Sequence, residues 1–169
     1  MAILIRPTEQ KDLPLVQALW SNGDVMQFVG FPNGLVQSDE DMARWHSWIQ
    51  KNQPHCMHYS IFDGDEYCGE TYYEIDRAQG GLTSVDIKLY PGARGRGIAS
   101  KALSYAIGQA KAQGARRIWV NPVPHNQKAL ALYARLGFVP CPVPPHILEQ
   151  EGEGGYLYLE KSVETENLS

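Results

Sequence analysis

Residues 91–100 read Pro-Gly-Ala-Arg-Gly-Arg-Gly-Ile-Ala-Ser, so Arg94 and Arg96 alternate with Gly95 and Gly97. The run follows an alternating apolar and polar segment, Val85 to Leu89, and precedes a stretch of helical periodicity. Strand, glycine-rich loop and helix in that order make an anion site for a physical reason. The first amides of a helix have no intrahelical acceptor, and the helix dipole adds positive potential at the same end. Glycines let the backbone curl its N–H groups around phosphate oxygens. Each guanidinium adds charge and forked donors. The plainer interpretation is a strand-to-helix turn with two solvated arginines; arginine interleaved with glycine at a helix start favours a phosphate-bearing ligand.

Two phosphate loops can be tested residue by residue. Gly92 and Gly97 have Walker A spacing, but Ile98-Ala99 stand where Lys-Ser/Thr is required, leaving no ammonium for the phosphates and no hydroxyl for magnesium. Gly95-Arg96-Gly97 begins a dinucleotide fingerprint, but Ser100 replaces its third glycine and the unit lies late in the chain. A third pattern fits both the loop and its surroundings. Arg94-Gly95-Arg96-Gly97-Ile98-Ala99 resembles the Arg/Gln-x-x-Gly-x-Gly/Ala signature of the GNAT N-acetyltransferase superfamily. Downstream, Asn126, Ala129, Tyr133 and Gly137-Phe138 are similar to that family's Asn-x-x-Ala-x-x-x-Tyr-x-x-x-Gly-Phe pattern. One helix and one strand separate the two blocks, as in the family, and Ile5-Arg6-Pro7 with the helix after it is similar to the family's start.

The resemblance implies an α/β (α+β) fold, a mixed, mostly antiparallel central sheet with helices on both faces. It implies that Val85 to Leu89 and Ile118 to Val120 are adjacent strands that splay to admit acetyl-CoA. It assigns the cofactor's pantetheine arm to backbone near Leu89, its pyrophosphate to the amides and arginines of Arg94, Gly95, Arg96, Gly97, Ile98, Ala99 and Ser100, and a contact on the arm to Asn126. It makes Tyr133 both a cofactor contact and the acid that protonates the departing thiolate. The chemistry is coherent, since amine attack on a thioester forms an oxyanion and expels a thiolate, which a phenol can protonate and a backbone N–H near Leu89 can stabilise. The activity implied is acetyl transfer to a primary amine, on a small molecule or a protein N-terminus, by direct transfer in a ternary complex. A module that keeps the acyl-CoA site without transferring is the alternative.

The base that receives the amine's proton is less defined. Some family members carry glutamate five residues before the motif asparagine; here that position is Asn121, suited to holding water or substrate. Asp86 and Glu70 lie on expected strands, and each suits a structural or substrate-orienting role better than that of a base. His125 reads as a loop residue, His55 and His58 do not make a metal pair, and no metal is expected. Cys56, Cys68 and Cys141 read as small buried hydrophobes.

The elements that must position these residues are legible in outline. Ile3 to Ile5 reads as a strand stopped by Pro7, and Thr8 to Trp20 as a helix. Gly23 to Gly34 reads as a loop whose Phe28 and Phe31 either join the core, the default, or line a pocket. Ser38 caps a second helix with Met42, Trp45, Trp48 and Ile49 as its buried stripe. Tyr59 to Phe62, Asp63-Gly64 and Glu66 to Ile75 predict a hairpin. After the loop, a helix runs to about Gln113 and stops at Gly114. Asn126 caps a last helix, ended by Gly137, with Ala129, Leu132, Tyr133 and Leu136 inside. A proline-rich turn, Pro140 to Pro145, leads to a strand at Tyr156 to Leu159. No linker is evident, so one domain is expected over 1–163 with a polar tail over 164–169.

The 169 residues suffice for one domain with its own core, and 20% charged against 43% hydrophobic residues is a globular balance. Fifteen basic against nineteen acidic residues give a net charge of −4, which argues against nucleic acid as a partner. That sum conceals a division. Residues 85–136 carry nine basic residues and one acid, Asp86; the rest carries six basic and eighteen acidic. The basic segment is the one matched to polyanionic CoA, and the acidic remainder suggests a cationic acceptor. Three scattered cysteines, no membrane-length apolar run and no signal peptide predict a cytoplasmic protein with no membrane partner. The resemblance further implies a capacity to form a homodimer, which no residue specifies.

Overall fold

The computed structural model describes residues 2–163, so the expected tail over 164–169 lies outside the described residues. Seven strands form one sheet: β1 (Ile3–Pro7), β2 (Cys56–Asp63), β3 (Glu66–Asp76), β4 (Leu82–Leu89), β5 (Arg117–Val120), β6 (Val139–Pro140) and β7 (Leu159–Ser162). Their order is β1-β2-β3-β4-β5-β7-β6, and every neighbouring pair is antiparallel except β4 with β5. The helices are α1 (Leu13–Trp20), α2 (Gly23–Met26), α3 (Asp39–Lys51), α4 (Ile98–Ala112), α5 (Gln127–Arg135) and α6 (Pro145–Glu151).

Strand alternation assigns the two faces. Val85, Ile87 and Leu89 pack with Leu103, Ala106 and Ile107 of α4 or with Ile98 and Ala102 at its start, and Leu132 and Tyr133 of α5 join the same cores. Ser84, Asp86 and Lys88 therefore point to the other face. There α1 and α3 meet the sheet through Trp20 and Trp45, and α6 places Ile147 against Leu82, Trp119 and Tyr158.

The parallel ladder between β4 and β5 is short. Leu82, Thr83 and Ser84 pair with Arg117, Ile118 and Trp119, and beyond them β4 runs on to Leu89 with no β5 partner. The two strands diverge there. On the other edge of β4, Lys88 pairs with Glu70 and the Tyr90 amide donates to the Cys68 carbonyl at 3.0 Å. Hydrogen-bonded and non-hydrogen-bonded pairs alternate in an antiparallel ladder. The backbone groups of Ile87 and Leu89 consequently face the gap left by β5.

Several local expectations change. The helix expected from Thr8 is a short 3-10 turn (Gln10–Asp12) followed by α1, because Pro14 is tolerated only in a first helical turn. The expected loop at Gly23 to Gly34 contains α2, capped by the Asn22 side chain, and Phe31 is exposed. In α3, capped by Ser38 as expected, the inner stripe is Met42, His46 and Ile49; Trp48 is off that stripe and exposed. The proline-rich turn feeds α6, so α5 is not the last helix, and the final strand starts at Leu159 rather than Tyr156.

Candidate active site

The gap between β4 and β5 gathers most of the residues singled out above. Tyr133 is presented by α5, where it lies in one core cluster with Val85, Ile118 and Val120 and meets Phe138 edge-on at 5.5 Å between ring centroids. The residue is 6% exposed, and its hydroxyl makes no hydrogen bond to another described residue. It is nonetheless not a buried orphan: among the described side chains only the Tyr67 hydroxyl is sealed off without a partner. Burial, and then the charge of Asp86, push the acidity of Tyr133 well below that of a free phenol, so it stays protonated at neutral pH.

Asp86 stands on β4 on the face opposite α4, with its side chain 40% exposed. One carboxylate oxygen accepts the Ile87 amide at 2.8 Å and the other the Lys88 ammonium. Asn121 directly follows β5 and borders the same gap. By the alternation of the β3–β4 ladder the Leu89 amide faces the gap, where β4 has no β5 partner among the described residues, while the Leu89 carbonyl accepts Arg94 at 3.2 Å.

At the end of the unpaired stretch lies the glycine loop. No described backbone or side-chain acceptor takes the amides of Gly95 through Ser100. Gly95 and Gly97 have left-handed φ values of 74° and 75°, and a Cβ at either would meet nothing within 4 Å, so the cradle is open. These features fit a pyrophosphate. Ile98 is buried beneath the loop, Ala99 is half-buried against the core, and Ser100 is half-buried. The arginines are partly exposed and also make contacts within the chain: Arg94 donates to the Asp24 and Leu89 carbonyls at 3.1 and 3.2 Å, and Arg96 binds Asp63 and lies 3.7 Å from Glu66. Asn126 caps α5 by accepting the Ala129 amide at 3.3 Å through its side-chain oxygen, while its backbone amide donates to the Val123 carbonyl and its side-chain Nδ2 has no partner among the described residues.

Sequence reasoning missed how Glu70 is held. It is 3% exposed; one oxygen accepts the Trp20 indole at 2.6 Å and lies 3.7 Å from the Lys88 ammonium, and the other binds His58. The second His58 nitrogen pairs with the Thr8 hydroxyl at 2.6 Å. The signal was a carboxylate and a lysine at alternating positions of adjacent strands, but only the register brings them together. Burial alone would raise the Glu70 pKa; His58 and Lys88 outweigh it and hold the carboxyl down to about 2. A depressed folded-state value stabilises above the unfolded pKa and is lost as pH falls through the folded one. The Glu70 contribution is thus complete above about pH 4.5 and fades towards about pH 2. Glu70→Gln is expected to lower stability at pH 7 and to flatten its decline over that window, as read from urea unfolding at stepped pH. A decline of unchanged steepness would remove Glu70 from the acid transition.

Comparison with known proteins agrees with this geometry. Residues 2–139 match the family described as acetyltransferase (GNAT) domain. A 60-residue segment is 37% identical to streptothricin acetyltransferase of Streptomyces lavendulae, covering 36% of this chain and 32%, about a third, of that protein. The crystal structure of a GNAT-family acetyltransferase from Streptococcus pneumoniae superposes with a TM-score of 0.77 at 22% identity, covering 96% of this chain and all of the other. The Salmonella typhimurium protein yncA, solved with its cofactor acetyl-CoA, gives 0.77 at 15% identity over 100% of this chain and 98% of its own. No helix among the described residues is long and apolar enough to cross a membrane. With the splayed strands, the open amide cradle and a family match over most of its length, the chain belongs to the GNAT acetyltransferase family.

Proposed function

We propose that the protein transfers the acetyl group of acetyl-CoA to a primary amine by direct attack, with both substrates bound at the β4–β5 gap. The observation that carries this is the stretch of β4 beyond Ser84 with no β5 partner, which holds Asp86 and Leu89, with Tyr133 in the core cluster that includes Val85, Ile118 and Val120. Acetyl-CoA, when bound, supplies an activated acyl carbon on a sulfur that can leave as thiolate. The amides of Gly95 to Ser100 hold its pyrophosphate, and the Asn126 side-chain amide contacts its arm. The Leu89 N–H donates to the carbonyl oxygen as that atom gains charge, a preorganised contact that needs no rearrangement during reaction. Asp86 orients the acceptor's amine, with Asn121 beside it, and Tyr133 delivers a proton to sulfur. The proton shed by the attacking nitrogen balances the one delivered.

The acceptor is a cationic amine in this reading. Asp86 is the one carboxylate in the basic segment and is partly open to solvent at the gap. Elsewhere the acids do not simply wall off the acceptor: Asp63 binds Arg96, and Glu160 lies 3.2 Å from Arg117. The match of a segment to a protein named streptothricin acetyltransferase supports acetyl transfer as the reaction.

Two measurements test the proposal. Isothermal titration should detect acetyl-CoA binding, and no heat at millimolar cofactor would overturn it. A panel of spermine, streptothricin, lysine amide and a dipeptide with a free carboxylate, followed by thiol release, should give turnover that depends on added amine and is fastest for the cationic members. Faster turnover of the dipeptide would overturn the acceptor assignment. Binding without amine-dependent release would favour an acyl-CoA-binding module.

A further inference from the structure

We propose that Lys88 is a positioning residue for Asp86, itself set in place by the buried Glu70–His58 pair. The inference rests on the reading that Asp86 orients the acceptor's amine.

A chain of hydrogen bonds and one ion pair, between Glu70 and Lys88, crosses four consecutive parts of the sheet on the face opposite α4. It starts at Thr8, just after β1, and passes to His58 on β2, Glu70 on β3, and Lys88 and Asp86 on β4. Lateral packing fixes it. Trp45 stands edge-on to the His58 ring at 4.7 Å, Thr8 also pairs with Ser60 at 2.7 Å, and the Trp20 indole takes the Glu70 oxygen that faces Lys88. His58 and Glu70 are 4% and 3% exposed, so neither can rotate into water.

Lys88 is where this buried arrangement meets the gap. Its ammonium bridges Glu70 and Asp86, with the side chain only 15% exposed. Burial would lower its pKa, but the two carboxylates outweigh that and keep it charged. Glu70 is sealed inside between His58 and Lys88. The carboxylate open to solvent is Asp86. With one oxygen on the Ile87 amide and the other on Lys88, Asp86 cannot swing about its side-chain bonds, and its remaining acceptor capacity is held at the opening. A solvent-exposed aspartate without this brace would sample several rotamers and present its charge diffusely. His58 and Glu70 do not touch the reacting atoms; they act through Lys88.

The test is a mutant cycle on the intact protein, using the fastest amine of the panel above and thiol release as readout. Lys88→Met should lower kcat/KM for the amine about tenfold, with the KM for acetyl-CoA within about twofold of wild type. Lys88→Arg, which keeps the charge, should recover activity to within about threefold of wild type. In an Asp86→Asn background, Lys88→Met should change kcat/KM by less than about twofold, because there is no carboxylate left to position. Equal losses in both backgrounds, a rise in the acetyl-CoA KM that matches the amine's, or no recovery with arginine would overturn the inference. If Asp86→Asn alone leaves amine kcat/KM unchanged, the reading of Asp86 itself fails; if it lowers kcat/KM while Lys88→Met does not, only the role of Lys88 fails. Melting temperatures confirm folding, and Lys88→Gln takes the place of Lys88→Met if the latter is insoluble.

Discussion

Tyr133→Phe is expected to lower kcat by about a hundredfold or more while the acetyl-CoA dissociation constant stays within about twofold. The substitution removes one oxygen and keeps the ring, so the edge-on contact with Phe138 and the packing against Val85, Ile118 and Val120 survive. No hydrogen bond to another described residue is lost either. Stability should therefore be nearly unchanged, and any loss of rate reports chemistry. The direction of the Tyr133 acidity shift matters here. Burial and the charge of Asp86 keep the phenol protonated, so its proton is in place at neutral pH; they also make it a weaker acid than a free phenol, so the proton moves only as charge develops on the departing sulfur. Stopped-flow thiol release with calorimetric cofactor binding measures both quantities. A variant with unchanged kcat would remove Tyr133 from the acid role, and one with equally weakened cofactor binding would make it a binding residue instead.

What was legible in the sequence was whatever depends on local spacing. The glycine loop ahead of α4, the Asn126 cap, the Ser38 cap and the hairpin at Asp63-Gly64 each declare themselves within a few residues, because turn and cap chemistry is local. The divergence of β4 and β5 was also within reach, through a resemblance anchored at both strands. What escaped depends on register. Glu70, Lys88 and His58 sit in segments that alternate as strands should, but a carboxylate and a lysine eighteen residues apart reveal nothing until β3 and β4 are paired. The intramolecular contacts of the arginines depend on tertiary structure in the same way: their charge and position suggest phosphate ligands, and only the fold shows that Arg96 also binds Asp63 and that Arg94 ties the loop to the end of β4. A buried stripe that includes Trp48 failed because positions 42, 46 and 49 already fill one helical face, which leaves position 48 to the outside.

Gly69→Ala is expected to cost about 3 kcal/mol of stability or more, and to take catalysis with it. Gly69 lies where β3 bulges: its neighbour Cys68 is skipped in the ladder between Ile61–Gly69 and Phe62–Tyr67. On the other side it is the register partner of Leu89. Its φ is 151°, and a Cβ built there would stand 2.0 Å from the Lys88 carbonyl oxygen and 2.9 Å from the Leu89 Cα. Both obstacles are backbone, so no side chain can turn aside to relieve them. The usual gain from replacing glycine, a stiffer unfolded chain, is only about 0.4–1 kcal/mol and is overwhelmed. Relief requires β3 to retreat from β4 at Lys88 and Leu89, the positions that brace Asp86 and aim the Leu89 amide into the gap. The folded fraction should accordingly lose kcat more than cofactor affinity, since the cradle at Gly95 to Ser100 lies further along the chain. Urea unfolding, with kinetics corrected for the folded fraction, checks both parts. A destabilisation below about 1 kcal/mol would mean that β3 and β4 can separate here at little cost, and with that the closeness of Gly69 to Leu89 would lose its role in holding the gap in shape.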